Sequence, residues 1–304
     1  MDEIDLKISM LLMANSRTPY KQLADVFHIS VNSIHKRVKS LVELGIIQNF
    51  KARLGFANFP TISNIVMFGT PNVKDKKHLL EKLGDNEFIY NISRASGNLF
   101  YIHAYIRNMN ELDTLVTFVR KTGKISELTV GIDRNMPSIS IIDKQKLKNL
   151  DYLIVNSLKD NSRKTISDVA EEVGASTKTI KRRLDNLIEN FLIELQIDWY
   201  PDLIFTMIIL KLKSDSLIDD RDFISSLKKT YGSKIVFSWS FSNLPHTKLI
   251  CVWTKSMKDL QDIESSLLSE NYDSVEVTIL IEGKNFPTWR ETYLKERIQE
   301  INSL

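Results

Sequence analysis

One cysteine, Cys251, stands in a chain of 304 residues. A single thiol closes no intramolecular disulfide and leaves no CxxC pair for zinc or redox chemistry, which fits a reducing compartment. Glycine and proline are sparse, at 10 and 7, and no low-complexity run occurs, so most residues are expected in regular elements. No stretch of about 18 apolar residues exists, which argues against a transmembrane helix and a membrane partner. The opening MDEIDLKISM is acidic and periodic where a secretory leader is basic and then apolar, so the expected location is cytoplasmic. A marked excess of either charge is also missing. Lys+Arg number 41 against Asp+Glu 38, a net of +3, so nucleic-acid binding must come from local basic patches.

Chemistry-bearing patterns are equally scarce. The five histidines, His28, His35, His78, His103 and His246, lack a metal-ligand spacing, and no glycine-rich phosphate loop or nucleophile elbow appears. Cys251 lies in the apolar run LICVWT and reads as a buried, inert thiol. The expectation is a protein without cofactor, metal or enzymatic activity. What is present, 43% hydrophobic and 26% charged residues, excludes intrinsic disorder, and the length suggests about two domains of roughly 150 residues.

The chain is a duplication. Ile4 to Phe50 aligns without gaps on Leu150 to Gln196, with about 13 identities in about 47 positions where chance gives about three. Among them are Asp5/Asp151, Asn15-Ser16-Arg17/Asn161-Ser162-Arg163, Ala24/Ala170, Ser30/Ser176 and Arg37/Arg183.

In each copy a first amphipathic helix (Ile4, Ile8, Leu11, Leu12) stops at the Asn-Ser-Arg triplet. A second helix follows, with Tyr20, Leu23, Ala24 and Phe27 facing inward. A tight turn at His28-Ile29, or Gly174-Ala175, then leads to Ser30/Ser176, a cap for a third helix. This is the helix-turn-helix order. With Ile34, Val38 and Leu41 inward, the third helix presents Val31, Asn32, His35, Lys36 and Lys39. Its second copy presents Thr177, Lys178, Lys181, Arg182 and Asp185. Lysine and arginine reach phosphates, Asn and His reach base edges, and this motif lays its third helix in the major groove of double-stranded DNA. The segments Gly45 to Leu54 and Leu192 to Trp199 read as wing strands. Lys51 and Arg53 give only the first a basic character, since the second carries Glu194 and Asp198. The expected DNA-contacting set is Ser30, Val31, Asn32, His35, Lys36, Lys39, Lys51 and Arg53, with Ser176, Thr177, Lys178, Lys181 and Arg182.

The remainder of each half alternates apolar runs and amphipathic stretches in the order βαββαβ, the ferredoxin-like arrangement. Its helix-free face needs a cover, and the sheet of the other copy is the expected one. The expected fold class is therefore α+β: two copies of a winged helix-turn-helix followed by a ferredoxin-like domain, at 1–56, 60–136, 144–200 and 202–284, with an extra C-terminal helix in 285–304.

The runs IDLKI, NSR, PYKQLA, SVNSIHKRVKSLVELGII and SGNLFYIHAYIRNMNELDTLV resemble the Lrp/AsnC family of prokaryotic transcription regulators in order and spacing. The resemblance covers nearly the whole chain. It implies a DNA-binding regulator in which a winged helix-turn-helix precedes a ligand-sensing domain. The family usually has one such unit per chain and dimerises through its sheet domains, so this chain is expected to act as an intramolecular pseudo-dimer or as a homodimer. The family's glycine-containing turn between the second and third strands maps to Ser96, Gly97 and Asn98, which the resemblance makes candidate contacts for an amino acid or small carboxylate; an ordinary hairpin turn needs Gly and Asn equally. Copy two has Asn243-Leu244-Pro245-His246 there, so one sensing site per chain at most is expected. A second reading comes from layout: the chain is similar to siroheme decarboxylases, whose two related subunits combine the same two parts. Asn91, Arg94 and Leu99-Phe100 resemble that enzyme's substrate-contacting run, with Ser238 and Phe241 at the places of Asn91 and Arg94 in copy two.

Overall fold

The computed structural model describes residues 1–134, 147–200, 205–213, 219–270 and 272–303. The domain boundaries expected at 136, 144 and 202 lie outside them. Copy one runs α1 (Glu3–Ala14), α2 (Tyr20–Phe27), α3 (Val31–Glu43), β1 (Ile47–Leu54), β2 (Ser63–Gly69), α4 (Lys76–Gly84), β3 (Ile89–Ala95), β4 (Phe100–Ile106), α5 (Asn110–Gly123) and β5 (Leu128–Ile132). Copy two runs α6 (Asn149–Leu158), α7 (Ile166–Val173), α8 (Thr177–Glu189), β6 (Ile193–Trp199), β7 (Phe205–Leu212), α9 (Asp220–Tyr231), β8 (Ile235–Ser240), β9 (Thr247–Trp253), α10 (Met257–Ser269) and β10 (Tyr272–Asn285). The last element is α11 (Trp289–Asn302).

The elements divide into two compact units, each holding segments of both copies. The first unit holds Met1–Pro60, the described residues of Ile139–Pro201, and the C-terminal segment with α11. Its helical turns are set by backbone chemistry. His28 (φ 53°) and Gly174 (φ 66°) take the left-handed conformation that stops α2 and α7. Gly45 (φ 70°) and Phe191 (φ 54°) do the same after α3 and α8.

The two expected wings are one shared ribbon. β1 pairs antiparallel with β6, Phe50 opposite Ile197 and Ala52 opposite Leu195. Residues of one face of each strand divide between the copies by position: Ile193 and Leu195 lie in the core of copy two and Ile197 in that of copy one, while Phe50 packs on copy one and Ala52 and Leu54 on copy two. Ile197 enters the core formed by Ile8, Leu12, Leu23, Ile34 and Val38 of copy one. Ala52 and Leu54 enter the core of Ile154, Val155, Leu158, Ile180 and Leu184 of copy two. A wing built within one copy needs a second strand of its own, and among the described residues each winged part supplies a single strand. The Asn-Ser-Arg triplets complete the exchange. Ser16 N donates to Leu195 O (2.8 Å) and Ser162 N to Phe50 O (3.0 Å). Arg17 Nη1 donates to the carbonyls of Ser162 (2.6 Å) and Lys164 (2.7 Å), and Arg163 Nη1 donates to the carbonyl of Ser16.

The second unit is an eight-stranded sheet in the order β5-β2-β4-β3-β10-β7-β9-β8. Each four-strand half has the ferredoxin-like order 4-1-3-2, and the halves join edge to edge where β3 pairs antiparallel with β10. Residues of the helix-free faces also meet, Tyr101 with Thr278 (2.8 Å) and His103 with Trp239, so the two halves cover each other and in addition pair their edges, whose N–H and C=O groups would otherwise stay open. The far ends also meet. Asp133 forms an isolated bridge with Phe241, Ser242 N donates to Ile132 O (2.9 Å), and the Asn243 amide accepts from Ile132 N and donates to Val130 O, both at 2.8 Å. Both seams therefore join the second strand of one half to the fourth of the other. Helices α9 and α10 cover one face of copy two through Phe223, Leu227, Leu260 and Ile263 against Ile208, Leu210, Ile250 and Val252. Period-2 alternation sends Met207, Leu249 and Cys251 to the opposite face. There burial pushes the Cys251 thiol up to about 12.

Candidate nucleic-acid interface

The two third helices are built alike. Ser30 Oγ accepts from Ser33 N (3.1 Å) and Ser176 Oγ from Thr179 N (3.2 Å), which satisfies one orphan N–H at each helix start. These hydroxyls also contact the side chains of Ser33 and Thr179 at 2.9 Å. Ser30 and Ser176, expected among the DNA contacts, are the N-cap residues of these helices.

Inward residues Ile34, Val38 and Leu41, with Ile180, Leu184 and Leu187, are buried. That fixes the outward set. Val31, Asn32, His35, Lys36 and Lys39 are exposed on α3, and Thr177, Lys178, Lys181 and Arg182 on α8. Among the described residues Lys36, Lys178, Lys181 and Arg182 enter no ion pair, whereas Lys39 Nζ lies 3.6 Å from Glu43. His35 packs edge-on against Tyr20, ring centroids 4.4 Å apart, which holds its imidazole over the α2–α3 angle. On α8 the cations occupy the first two turns, and Asp185 and Glu189 continue the same shallow concavity. Phosphate attraction on that helix is therefore concentrated at its start.

The basic wing of copy one is overturned. Lys51 Nζ lies 2.6 Å from Asp198, and Arg53 reaches Asp198 (3.5 Å) and Glu291 (2.8 Å). In a shared ribbon the acidic strand of copy two sits beside the basic strand of copy one, so the charges cancel in place.

Sequence reading missed the buttresses. Arg37 Nη1 binds Asp2 (2.8 Å) and Asp5 (2.7 Å), and Arg183 Nε binds Asp151 Oδ1 (2.8 Å) with a second bond from Nη2 to Oδ2. Burial opposes the Asp2 charge, but the Asp5 N–H and Arg37 hold its carboxyl below the ordinary range. The signal was available in the paired identities Asp5/Asp151 and Arg37/Arg183, which tie each third helix to its first.

The candidate effector turn has a structural task. Ser96 Oγ accepts from Ile279 N (3.0 Å) at the end of the β3–β10 seam, as Asn243 does at the other seam. Gly97 (φ 69°) and Asn98 (φ 60°) are exposed, and a Cβ at Gly97 would meet nothing within 4 Å. The bond from Ile279 uses Ser96 Oγ as an acceptor and ties the turn to the seam. Asn91 and Arg94, two of the residues of the decarboxylase reading, also bond across the seam: Asn91 Nδ2 donates to Asn285 Oδ1 (2.8 Å), and Arg94 Nε binds Glu282 Oε1 (2.6 Å).

A polar cluster that sequence reading did not assemble lies inside the second unit. Tyr90 stacks on Tyr105 at 4.0 Å and donates to Asn64 (3.3 Å), Asn64 donates to Asp133 (2.9 Å), and His103 lies 5.1 Å from Trp239. His103 is buried, and its Nδ1 has no hydrogen-bond partner. These residues come from five strand regions of both copies, which spacing along the chain cannot reveal.

Residues 1–48 and 147–193 match the winged helix-turn-helix DNA-binding family. The HTH-type transcriptional regulator LrpA of Pyrococcus abyssi is 30% identical over 129 residues, which are 42% of this chain and 90% of that protein. LrpA of Pyrococcus horikoshii is 29% identical over 147 residues, 48% of this chain and 99% of that protein. Other matches are partial: the chain spans 64% of LysM of Sulfurisphaera tokodaii, at 36% identity, and 40% of the length of an uncharacterized Pyrococcus abyssi regulator. Among solved structures, the siroheme decarboxylase NirDL is similar over 99% of this chain and 100% of its own, with a TM-score of 0.57 and 12% identity. That is a likeness of fold. No helix among the described residues is long and apolar enough to cross a membrane.

Proposed function

The chain belongs to the Lrp/AsnC family of transcription regulators, and on that premise we propose that it binds specific double-stranded DNA sites as a covalent pseudo-dimer with two unequal recognition helices. The observation that carries this reading is the exposed, unpaired cation set on two capped third helices that one ribbon holds in a single unit. Phosphate neutralisation by Lys36, Lys178, Lys181 and Arg182 supplies affinity, and Asn32 and His35 supply hydrogen bonds to base edges. The half-sites differ because α8 is the more cationic helix and α3 the more polar one. Fluorescence anisotropy of the whole chain on genomic fragments selected by pull-down tests it. Specific binding whose affinity falls linearly with log salt is expected; an affinity that salt leaves unchanged, or no preference over random DNA, would overturn it.

The decarboxylase reading rests on shared fold, and fold alone does not carry an activity. Addition of siroheme to the purified chain separates the two: a stoichiometric Soret-region complex favours the enzyme.

A further inference from the structure

A groove of about 300 Å³ opens in the first unit between β1, the end of α6 and α11, a size at the lower bound of small-molecule sites. Its floor is apolar, made by Ala52, Leu54, Leu294 and Ile298. Its walls carry the cations Lys51, Arg53, Lys159, Arg290 and Lys295 against the carboxylates Asp160 and Glu291. Most of these charges are already spoken for. Lys51 turns to Asp198, Arg53 to Asp198 and Glu291, and Arg290 to Glu194. Burial opposes ionisation of Glu291, but Arg53 and the Thr288 N–H hold its carboxyl below the ordinary range, so it stays an anion and keeps Arg53 occupied. Lys159 and Lys295 are exposed, and among the described residues neither meets a carboxylate within ion-pair distance. Asp160 beside Lys159 opposes them with one charge, which leaves the mouth with a net excess of one cation.

We propose that this groove binds a small amphipathic monocarboxylate, its alkyl chain on the Leu54–Leu294–Ile298 floor and its carboxylate between Lys159 and Lys295. Charge and shape agree on that class: an apolar floor rejects a small inorganic anion, and the excess cation rejects an amine. Among the described residues copy one lacks the same set: under the gapless repeat the residues equivalent to Asn156, Lys159 and Asp160 are Met10, Met13 and Ala14, and no described helix of copy one corresponds to α11. Because the floor includes the ribbon residues Ala52 and Leu54, an occupant touches the element that both third helices share.

Calorimetric titration of the whole chain tests this with hexanoate, hexylamine and propanoate as probes. Hexanoate is expected to bind saturably at one site per chain, propanoate more weakly and hexylamine not at all. The exposed-residue variant Lys159→Gln/Lys295→Gln should weaken hexanoate about tenfold or more, while Gly97→Val, in the other unit, leaves it unchanged. No saturable heat with hexanoate, equal binding of hexylamine, or an unaltered affinity in the lysine variant would overturn the proposal. The measurement uses no DNA, so it stands or fails separately from the DNA-binding reading.

Discussion

The hydroxyls of Ser16 and Ser162 meet 2.6 Å apart, fully buried, with the two residues one repeat period from each other in the chain. Residues that are equivalent by repeat and in mutual contact lie on a local two-fold axis, and each flanking arginine binds the other copy's backbone. An Asn-Ser-Arg triplet that reads as a helix stop is thus the joint between the copies.

Breaking that pair on one side should cost more than removing it. Ser16→Ala or Ser162→Ala alone leaves a buried hydroxyl without its partner, a penalty of about 1–3 kcal/mol, and the double alanine variant should recover part of it. Urea melts of the three variants check this; strictly additive losses would show that the hydroxyls do not interact.

Phe191 should tolerate glycine with a gain. It holds φ at 54° where copy one has Gly45, and it is 67% exposed, so Phe191→Gly relieves left-handed strain and gives up little burial. A stabilisation of about 0.5–1 kcal/mol is expected by thermal melting, and a loss would indicate that the ring is held by a contact its exposure hides.

Residues 1–146 expressed alone should not fold as a soluble monomer. That fragment lacks β6, which pairs with β1 and puts Ile197 into the first core, and it lacks β10, which pairs with β3. Size-exclusion chromatography with circular dichroism should show aggregate, unfolded chain or a dimer, and a folded monomer would contradict the shared ribbon.

The third helices should divide labour. Lys181→Ala with Arg182→Ala is expected to weaken binding to all DNA sequences and to flatten the salt dependence by about one unit of slope per lost phosphate contact. Asn32→Ala should chiefly change base preference, seen in selected-site sequencing. Equal footprints and slopes in both variants would remove these helices from recognition.

Acid should destabilise the second unit through His103. Burial lowers its pKa from 6.5 to about 4, so between those values the unfolded chain binds the proton and the folded chain does not. Stability is then present above about pH 6.5 and lost as pH falls toward 4, by at most about 3 kcal/mol. His103→Leu should shrink the difference between urea melts at pH 7 and pH 4 by that amount, and an unchanged difference would assign the acid sensitivity to carboxylates.

The duplication, the capped third helices with their exposed cations and the βαββαβ order were legible in the sequence, because each rests on local periodicity, turn chemistry or self-similarity. The Ser30 and Ser176 caps, the inward stripe Ile34–Val38–Leu41 and the outward Lys181 and Arg182 all lie within a few residues of the signals that predict them. Tertiary structure alone decided where strand edges and charges find their partners. β1 reads as a basic wing until β6 lies beside it and Asp198 neutralises Lys51 and Arg53. Ser96 reads as part of a local turn until Ile279, from the other copy, donates its N–H to the Ser96 hydroxyl. In both cases the partner is more than 100 residues away, and an open strand edge accepts whichever strand the rest of the fold brings to it.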